Sequence, residues 1–370
     1  MRLLQLILLL FAMQNNCFAQ DRIALNNQRV DTFITSKMKA FNIPGIAIAI
    51  VKNGVAIKVS TYGMANIEWK QRVSLHTNFQ IASCTKLLTS TLLLKAVYNK
   101  KIGLNDFIEK YIDSVPNSWK SMQIKHLISH SSGLREYSSN PYTSTASVVK
   151  SLKDSTLEYI PGNGQHYAQA DFMLLGYILE KVYRKSFIEL LNDEILVPLK
   201  MNDGGYDMEQ KVGSFIRTNL IKEKATTYYE IDKKLYAYKF IYPQFNYTAG
   251  GYFASISDMA NWAIGLDREI LFTKRFSKEY IYGRDSIKHQ LSNYTKAGWI
   301  LENENGIQYA GHSGGPGLAD ILRFPDEGYT FIVLSNDGEL LPYFSRAIAS
   351  FYIPNLPAKL KIEKFELYRF

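Results

Sequence analysis

Hydrophobic and polar positions change their spacing several times along the chain, and each change marks an element. Ile46, Ile48 and Ile50 alternate with Ala47 and Ala49, and Val55-Ala56-Ile57-Lys58-Val59 answers them across Asn53-Gly54. Alternation around an Asn-Gly pair predicts a β-hairpin over residues 46–66. A second hairpin is predicted late in the chain, with arms at 317–324 and 329–334 and the turn Pro325-Asp326-Glu327-Gly328. A helix is predicted from about Leu340 to Tyr352, stopped by Pro354.

The middle of the chain has a helical pattern instead. Over residues 86–98, Leu87, Leu88, Leu92, Leu93, Leu94, Ala96 and Val97 cover most of a helix circumference; residues 171–183 do the same with Phe172, Met173, Leu174, Leu175, Ile178, Leu179 and Val182. A helix apolar nearly all round belongs in a protein centre. Strands at both ends with helices between suggest one sheet built from both chain ends and a helical lobe inserted between them. Residues 212–246, rich in Lys and Tyr, show no clean spacing and read as an irregular excursion.

The first 19 residues read as a signal peptide. Arg2 precedes an apolar run over residues 3–13, then polar Gln14-Asn15-Asn16 and Cys17-Phe18-Ala19, with cleavage expected after Ala19. That run is too short to span a bilayer, which takes about 20 residues. The expectation is an exported protein, periplasmic or extracellular, with residues 20–370 forming one two-lobed domain. Gln14-Asn15-Asn16 does not fit the small and aliphatic residues that precede a lipidated cysteine. Cleavage would leave Cys84 as the single cysteine, so no internal disulfide is expected.

Composition adds little and excludes much. At 370 residues, 46% hydrophobic and 21% charged, the chain has apolar material for a large core and is neither disordered nor disulfide-stapled. The formal charge is +9, but the basic residues are spread along the chain without a run interleaved with stacking aromatics. Nucleic acid is therefore not an expected partner.

Candidate chemistry begins at Phe79-Gln80-Ile81-Ala82-Ser83-Cys84-Thr85-Lys86. Ser83 and Lys86, three apart, share a helix face. A serine hydroxyl needs a proton acceptor before it can attack a carbonyl, and a desolvated lysine supplies one or tunes another. Cys84, two residues from Lys86, faces away and reads as a packed core residue. Two further strings matter. Gly311-His312-Ser313-Gly314-Gly315-Pro316-Gly317 has glycines that let backbone approach a ligand. His166-Tyr167-Ala168-Gln169 sets a tyrosine at a helix entrance. His126 and His130 are four apart, but no Glu follows His126 and Ser131-Ser132-Gly133 ends the helix, so a structural role is expected and no metal. Tyr137 and Tyr142 are candidates for a cleft wall, with ordinary packing the commoner fate of such aromatics.

These strings, in this order, resemble the serine β-lactamase and penicillin-binding-protein superfamily, specifically its class C-like branch. Ser83-Cys84-Thr85-Lys86 matches the nucleophile motif, Tyr167-Ala168-Gln169 the Tyr-x-Asn motif, and His312-Ser313-Gly314 the Lys/His-x-Gly motif. His130-Ser131-Ser132-Gly133-Leu134, Pro198-Leu199-Lys200-Met201 and Ala249-Gly250-Gly251 look like the same family. The resemblance implies the β-lactamase-like fold, α/β (α+β), with an antiparallel sheet flanked by helices and an inserted all-helical lobe over roughly residues 81–210, and an acyl-enzyme on Ser83. Lys86 and Tyr167 would form the base system, the lysine charge favouring a phenolate. The Ser83 and Gly315 N–H groups would line an oxyanion hole, with His312, Ser313, Gly314 and Gln169 contributing to substrate binding. It implies no cofactor, and a small-molecule or peptide substrate, peptidoglycan-derived material included; a monomer is expected.

Two departures shape the functional expectation. Gln169 stands where the family has Asn and adds a methylene, which shifts hydrogen bonds toward substrate and Lys86. His312 stands where class C β-lactamases have Lys, and a neutral imidazole pulls less on a substrate carboxylate. The expected activity is hydrolysis of an ester, amide or D-amino-acid peptide, with weak β-lactam hydrolysis included. The alternative is a catalytically idle relative that binds peptidoglycan or peptides.

Overall fold

The computed structural model describes residues 2–137, 140–287, 290–315, 318–338 and 344–357, without the side chains of residues 2–20. The chain opens with helix α1, Arg2–Phe41. Strands β1 (Gly45–Lys52) and β2 (Val55–Asn66) form the first hairpin. Asn53 and Gly54 both have positive φ, 47° and 73°, the geometry of a two-residue turn whose twist matches its strands. Strand β3 (Gln71–Arg72) continues the edge.

From the far end of the chain come β8 (Ile300–Glu304), β9 (Ile307–Gly314), β10 (Ala319–Phe324) and β11 (Tyr329–Ser335). They join the first three in one antiparallel sheet, ordered β8-β9-β10-β11-β1-β2-β3. Chain start and end therefore meet at the β11–β1 pair, where Ile46 faces Ser335 and Lys52 faces Tyr329.

The alternation in β1 sorts its side chains onto two cores. Ala47, Ala49 and Val51 face the helical lobe, while Ile46, Ile48 and Ile50 pack with Val30 and Ile34 of α1 and with helix α6 (Phe344–Ala349). Period-two side chains make this division unavoidable once both faces are covered. The α1 segment beyond residue 20 is a packed element that sequence spacing did not reveal. Pro316, Gly317 and residues 340–343 of the expected late elements lie outside the described residues.

Between the chain ends lie α2 (Thr85–Tyr98), α3 (Ile124–Ile128), α4 (Gln169–Tyr183) and α5 (Ile256–Asp267). Helices α2 and α4 are the two predicted apolar helices; Leu87, Leu92, Leu93, Phe172, Leu174 and Leu175 are fully buried. One expectation fails. Residues 212–246 are not irregular: they contain most of hairpin β4 (Glu209–Val212)–β5 (Phe215–Thr218) and all of β6 (Thr227–Ile231)–β7 (Lys234–Tyr238). Strand β5 is exposed along its whole length and β7 nearly so. In β6 only the adjacent Thr227 and Tyr228 are buried, so no apolar alternation was imposed and the spacing carried no signal. The second turn uses Asp232 and Lys233 at φ 49° and 64° instead of the usual Asn-Gly.

Candidate active site

Ser83 sits on a single 3-10 turn, Ala82–Cys84, that runs straight into α2. The turn is tightly determined. Ala82 is fully buried with φ 44°, a left-handed backbone that costs a non-glycine residue about 1–2 kcal/mol and persists only where surroundings enforce it. Enforcement comes from Thr85, whose hydroxyl donates to Ala82 O at 2.7 Å and accepts from Tyr252 N at 3.3 Å. From below, Gly314 at the end of β9 lies so close that a Cβ there would stand 2.2 Å from Ile81 O. Ser83 itself remains partly exposed.

The sheet, α2 and α4 bring the predicted residues together. Tyr167, just before α4, donates its phenol O–H to Ser83 Oγ at 3.0 Å. Lys86 is 1% exposed and stands 4.8 Å from the Tyr167 ring centroid and 5.4 Å from that of Phe172. Its ammonium donates to Ala249 O at 2.8 Å. Burial lowers the Lys86 pKa to about 7, against the opposing pull of Glu136 and Asp171. Burial pushes the Tyr167 phenol upward, with the Ser83 hydrogen bond opposing. Burial thus favours the neutral phenol and brings Lys86 near neutrality, while the proton shared by two coupled groups belongs to the pair.

His312 is 4% exposed, its ring centroid 5.9 Å from that of Tyr167. Its Nδ1–H donates to Ser313 O at 2.7 Å. Burial and the nearby Lys86 charge push its pKa down to about 3, so this imidazole is neutral at physiological pH. Gly315, exposed and with open space at its would-be Cβ, follows β9 beside the Ser83 turn.

Two expected binding residues are turned elsewhere. The Ser313 hydroxyl donates to Asp320 Oδ1 at 3.3 Å, and Asp320 in turn accepts from Ser345 N in α6. The pleat that turns His312 toward α2 necessarily turns Ser313 to the opposite face. Gln169 does not bond Lys86: its Oε1 accepts from Asn246 Nδ2 and its backbone N–H donates to Glu136 Oε1 at 2.8 Å. Asn246 O accepts from Ala249 N and Gly250 N, at 2.9 and 3.0 Å. Gln169 thus acts on Lys86 at one remove, by bracing the turn that presents Ala249 O.

Other candidates resolve simply. Cys84 is buried with its thiol donating to His312 O. His126 Nδ1 accepts from Gln123 N as part of a helix capping box, and His130 pairs with Asp171, so the two histidines share no site. Tyr137 meets Phe245 edge-on at 5.6 Å, and Tyr142 is exposed.

Sequence reasoning missed Glu136, Asn246 and Tyr242. Glu136 is exposed, yet close enough to raise the pKa of both Lys86 and Tyr167. Tyr242 packs over Gly250 and Gly251, where a Cβ would meet its ring atoms at 2.1 and 2.9 Å. Only the string Ala249-Gly250-Gly251 hinted at that packing.

A serine on a strained turn, a phenol bonded to it and a buried lysine beneath, set between an antiparallel sheet and a helical lobe, define a serine-nucleophile protein of the β-lactamase and penicillin-binding type. The chain belongs to the beta-lactamase family, whose model it matches over residues 30–349. It is 25% identical over 334 residues to protein flp of Staphylococcus aureus (strain MW2), covering 86% of this chain but only 64% of that protein. It is 26% identical over 184 residues to a D-aminopeptidase of Brucella anthropi, covering 46% of this chain and 34% of that one. The D-amino acid amidase of Ochrobactrum anthropi SV3, solved with L-phenylalanine amide, superposes with a TM-score of 0.71 at 19% identity, over 89% of this chain and 96% of its own. That likeness is one of fold.

Proposed function

We propose that this protein is an exported serine hydrolase of the class C-like branch that cleaves amides or peptides of D-amino acids bearing a free amino group. The observation that carries the hydrolase reading is the 3.0 Å hydrogen bond from Tyr167 to Ser83 Oγ, with Lys86 buried against the same ring. Ser83 Oγ attacks the substrate carbonyl, and its proton passes to the Tyr167–Lys86 pair. Lys86 is the member tuned to accept near neutral pH, though protons on coupled groups belong to the pair. The pair returns the proton to the leaving amine, and water then hydrolyses the ester on Ser83 by the reverse path. The N–H groups of Ser83 and Gly315 stabilise the oxyanion.

Charge supports the substrate class. A neutral His312 offers no fixed cation for a substrate carboxylate, which disfavours carboxypeptidase and β-lactam chemistry. Glu136 offers a carboxylate at the accessible side of the site, suited to an ammonium group. Similarity to a D-aminopeptidase and a D-amino acid amidase points the same way. Export rests on the leader-like pattern of residues 1–19.

The test is intact mass after exposure to a fluorophosphonate, with Ser83→Ala as control. A single adduct on the wild type alone supports the reading; folded wild type that takes no adduct overturns it. D-phenylalanine amide, its N-acetyl derivative, a D-Ala-D-Ala peptide and a chromogenic cephalosporin then rank the substrate classes, with the free amide expected first.

A further inference from the structure

One buried polar cluster is not used by the chemistry above. His130, Ser132 and Asp171 are at most 1% exposed, and His130 grips the segment carrying Tyr167 at three points. Its carbonyl accepts from His166 N at 2.9 Å. Its Nδ1 accepts from Ala168 N at 3.3 Å. Its ring lies 4.6 Å, centroid to centroid, from the Tyr167 ring, enclosed also by Tyr294 at 5.0 Å and Phe172 at 5.4 Å. The residues on both sides of Tyr167, and the phenol ring itself, are thus referenced to one residue, Ala168 and the ring through its side chain and His166 through its backbone. His130 adopts φ 56°, a conformation non-glycine residues seldom take.

The proton arrangement follows from the same contacts. Because Nδ1 receives the Ala168 N–H, it presents a lone pair and carries no proton. Asp171 Oδ2 stands 2.9 Å from that same Nδ1; a carboxyl proton there shares the single Nδ1 lone pair with the Ala168 N–H. Complete burial pushes the Asp171 pKa upward, toward the acid form, against the Ser132 hydroxyl, which donates to its other oxygen. The imidazole proton is left on Nε2, which has no hydrogen-bond partner among the described residues. The titratable groups felt by the pair are Lys86 from α2, Glu136, His166, and His312 from β9. Asp171 pulls on Lys86 only while it carries charge, so a neutral pair leaves burial and Glu136 to set the lysine's proton affinity.

We propose that His130, held at Nδ1 by Asp171 and the Ala168 N–H, is the positioning residue that aims the Tyr167 hydroxyl at Ser83. The catalytic consequence rests on the acyl-enzyme reading; the proton arrangement does not.

Two measurements on the full chain test it. Side-chain nitrogen–proton correlation spectra of labelled wild type, with His130→Asn to assign the signal, are expected to show Nε2 protonated and Nδ1 bare at neutral pH. A proton on Nδ1 overturns the arrangement. Fluorophosphonate acylation of Ser83 is then timed in His130→Asn, Asp171→Ala and Asp171→Asn. Asparagine tolerates the left-handed backbone. The first two variants are expected to acylate roughly 10–100-fold more slowly, in line with the cost of a misplaced catalytic group. Their reagent affinity is expected to stay unchanged. Asp171→Asn, which still donates to Nδ1, is expected to recover most of the loss. Wild-type rates in His130→Asn and Asp171→Ala, or no recovery in Asp171→Asn, defeat the positioning role. A wild type that never acylates defeats the hydrolase reading instead, and leaves the proton arrangement to be decided by the spectra.

Discussion

The ammonium of Lys86 is held by the backbone carbonyl of Ala249, 2.8 Å away, and not by a carboxylate. A neutral carbonyl gives a buried cation only part of what water gave it. Burial therefore dominates, and the lysine is left with a pKa of about 7.

This relationship sets a pH dependence. If neutral Lys86 is needed to take up the Ser83 proton, kcat/KM rises about tenfold per pH unit below 7 and levels off above it. Stability should follow the same group. The unfolded lysine keeps its proton to about pH 10.4, while the folded one releases it near 7, so the unfolded state binds more protons between those values. Stability then rises with pH across that window. Lys86→Met should abolish turnover and remove this part of the slope. A pH–rate profile and urea titrations at several pH values check both; a flat profile from pH 5 to 9 would contradict the assignment.

Glu136→Gln keeps the hydrogen bond from Gln169 N but removes the charge. KM for D-phenylalanine amide is expected to rise about tenfold, the order expected for one partly exposed charge-assisted hydrogen bond. The N-acetyl derivative, which has no ammonium, should keep its KM, and well above pH 7, where Lys86 is already neutral, its kcat/KM as well. Equal losses on both substrates would place the effect on the catalytic groups.

Gln169→Ala removes the brace on Asn246. The loss of one part-buried hydrogen bond should cost about 1 kcal/mol of stability, read from the urea midpoint. A several-fold fall in kcat should accompany it as the Ala249 turn loosens around Lys86. Unchanged kcat with reduced stability would mean that the turn holds Ala249 without Gln169.

Ile34→Ala tests whether α1 beyond residue 20 belongs to the folded unit. Ile34 is fully buried against the outer face of the sheet, and such a truncation typically costs 2–5 kcal/mol. A change under about 0.5 kcal/mol, the range of surface substitutions, would show that the helix is not docked in solution.

Much of the site was legible before the structure. The Ser83 and Lys86 spacing, the glycine-rich string after Gly311 and the placement of Tyr167 at a helix entrance each follow from local chemistry. What escaped was whatever depends on a distant partner. Gln169 looked like a substitution aimed at Lys86, because sequence shows its position in the motif but not Asn246, 77 residues away. Ser313 looked like a binding residue until the pleat of β9 turned it to Asp320. Hairpins β4–β5 and β6–β7 escaped for another reason: with so little buried, nothing constrained their sequence to alternate.

The sequence alone determined the hairpins with a buried face and the two apolar helices, because these depend on neighbours a few residues apart; Ser83, Lys86 and Tyr167 were singled out by their motifs and by the family these resemble. Tertiary structure alone decided protonation and aim. Lys86 is near neutral because the α2 environment and the Ala249 turn close over it. Tyr167 points at Ser83 because a loop 37 residues upstream, at His130, packs against it. Desolvation and direction arise only when remote segments meet, so no local pattern could have recorded them.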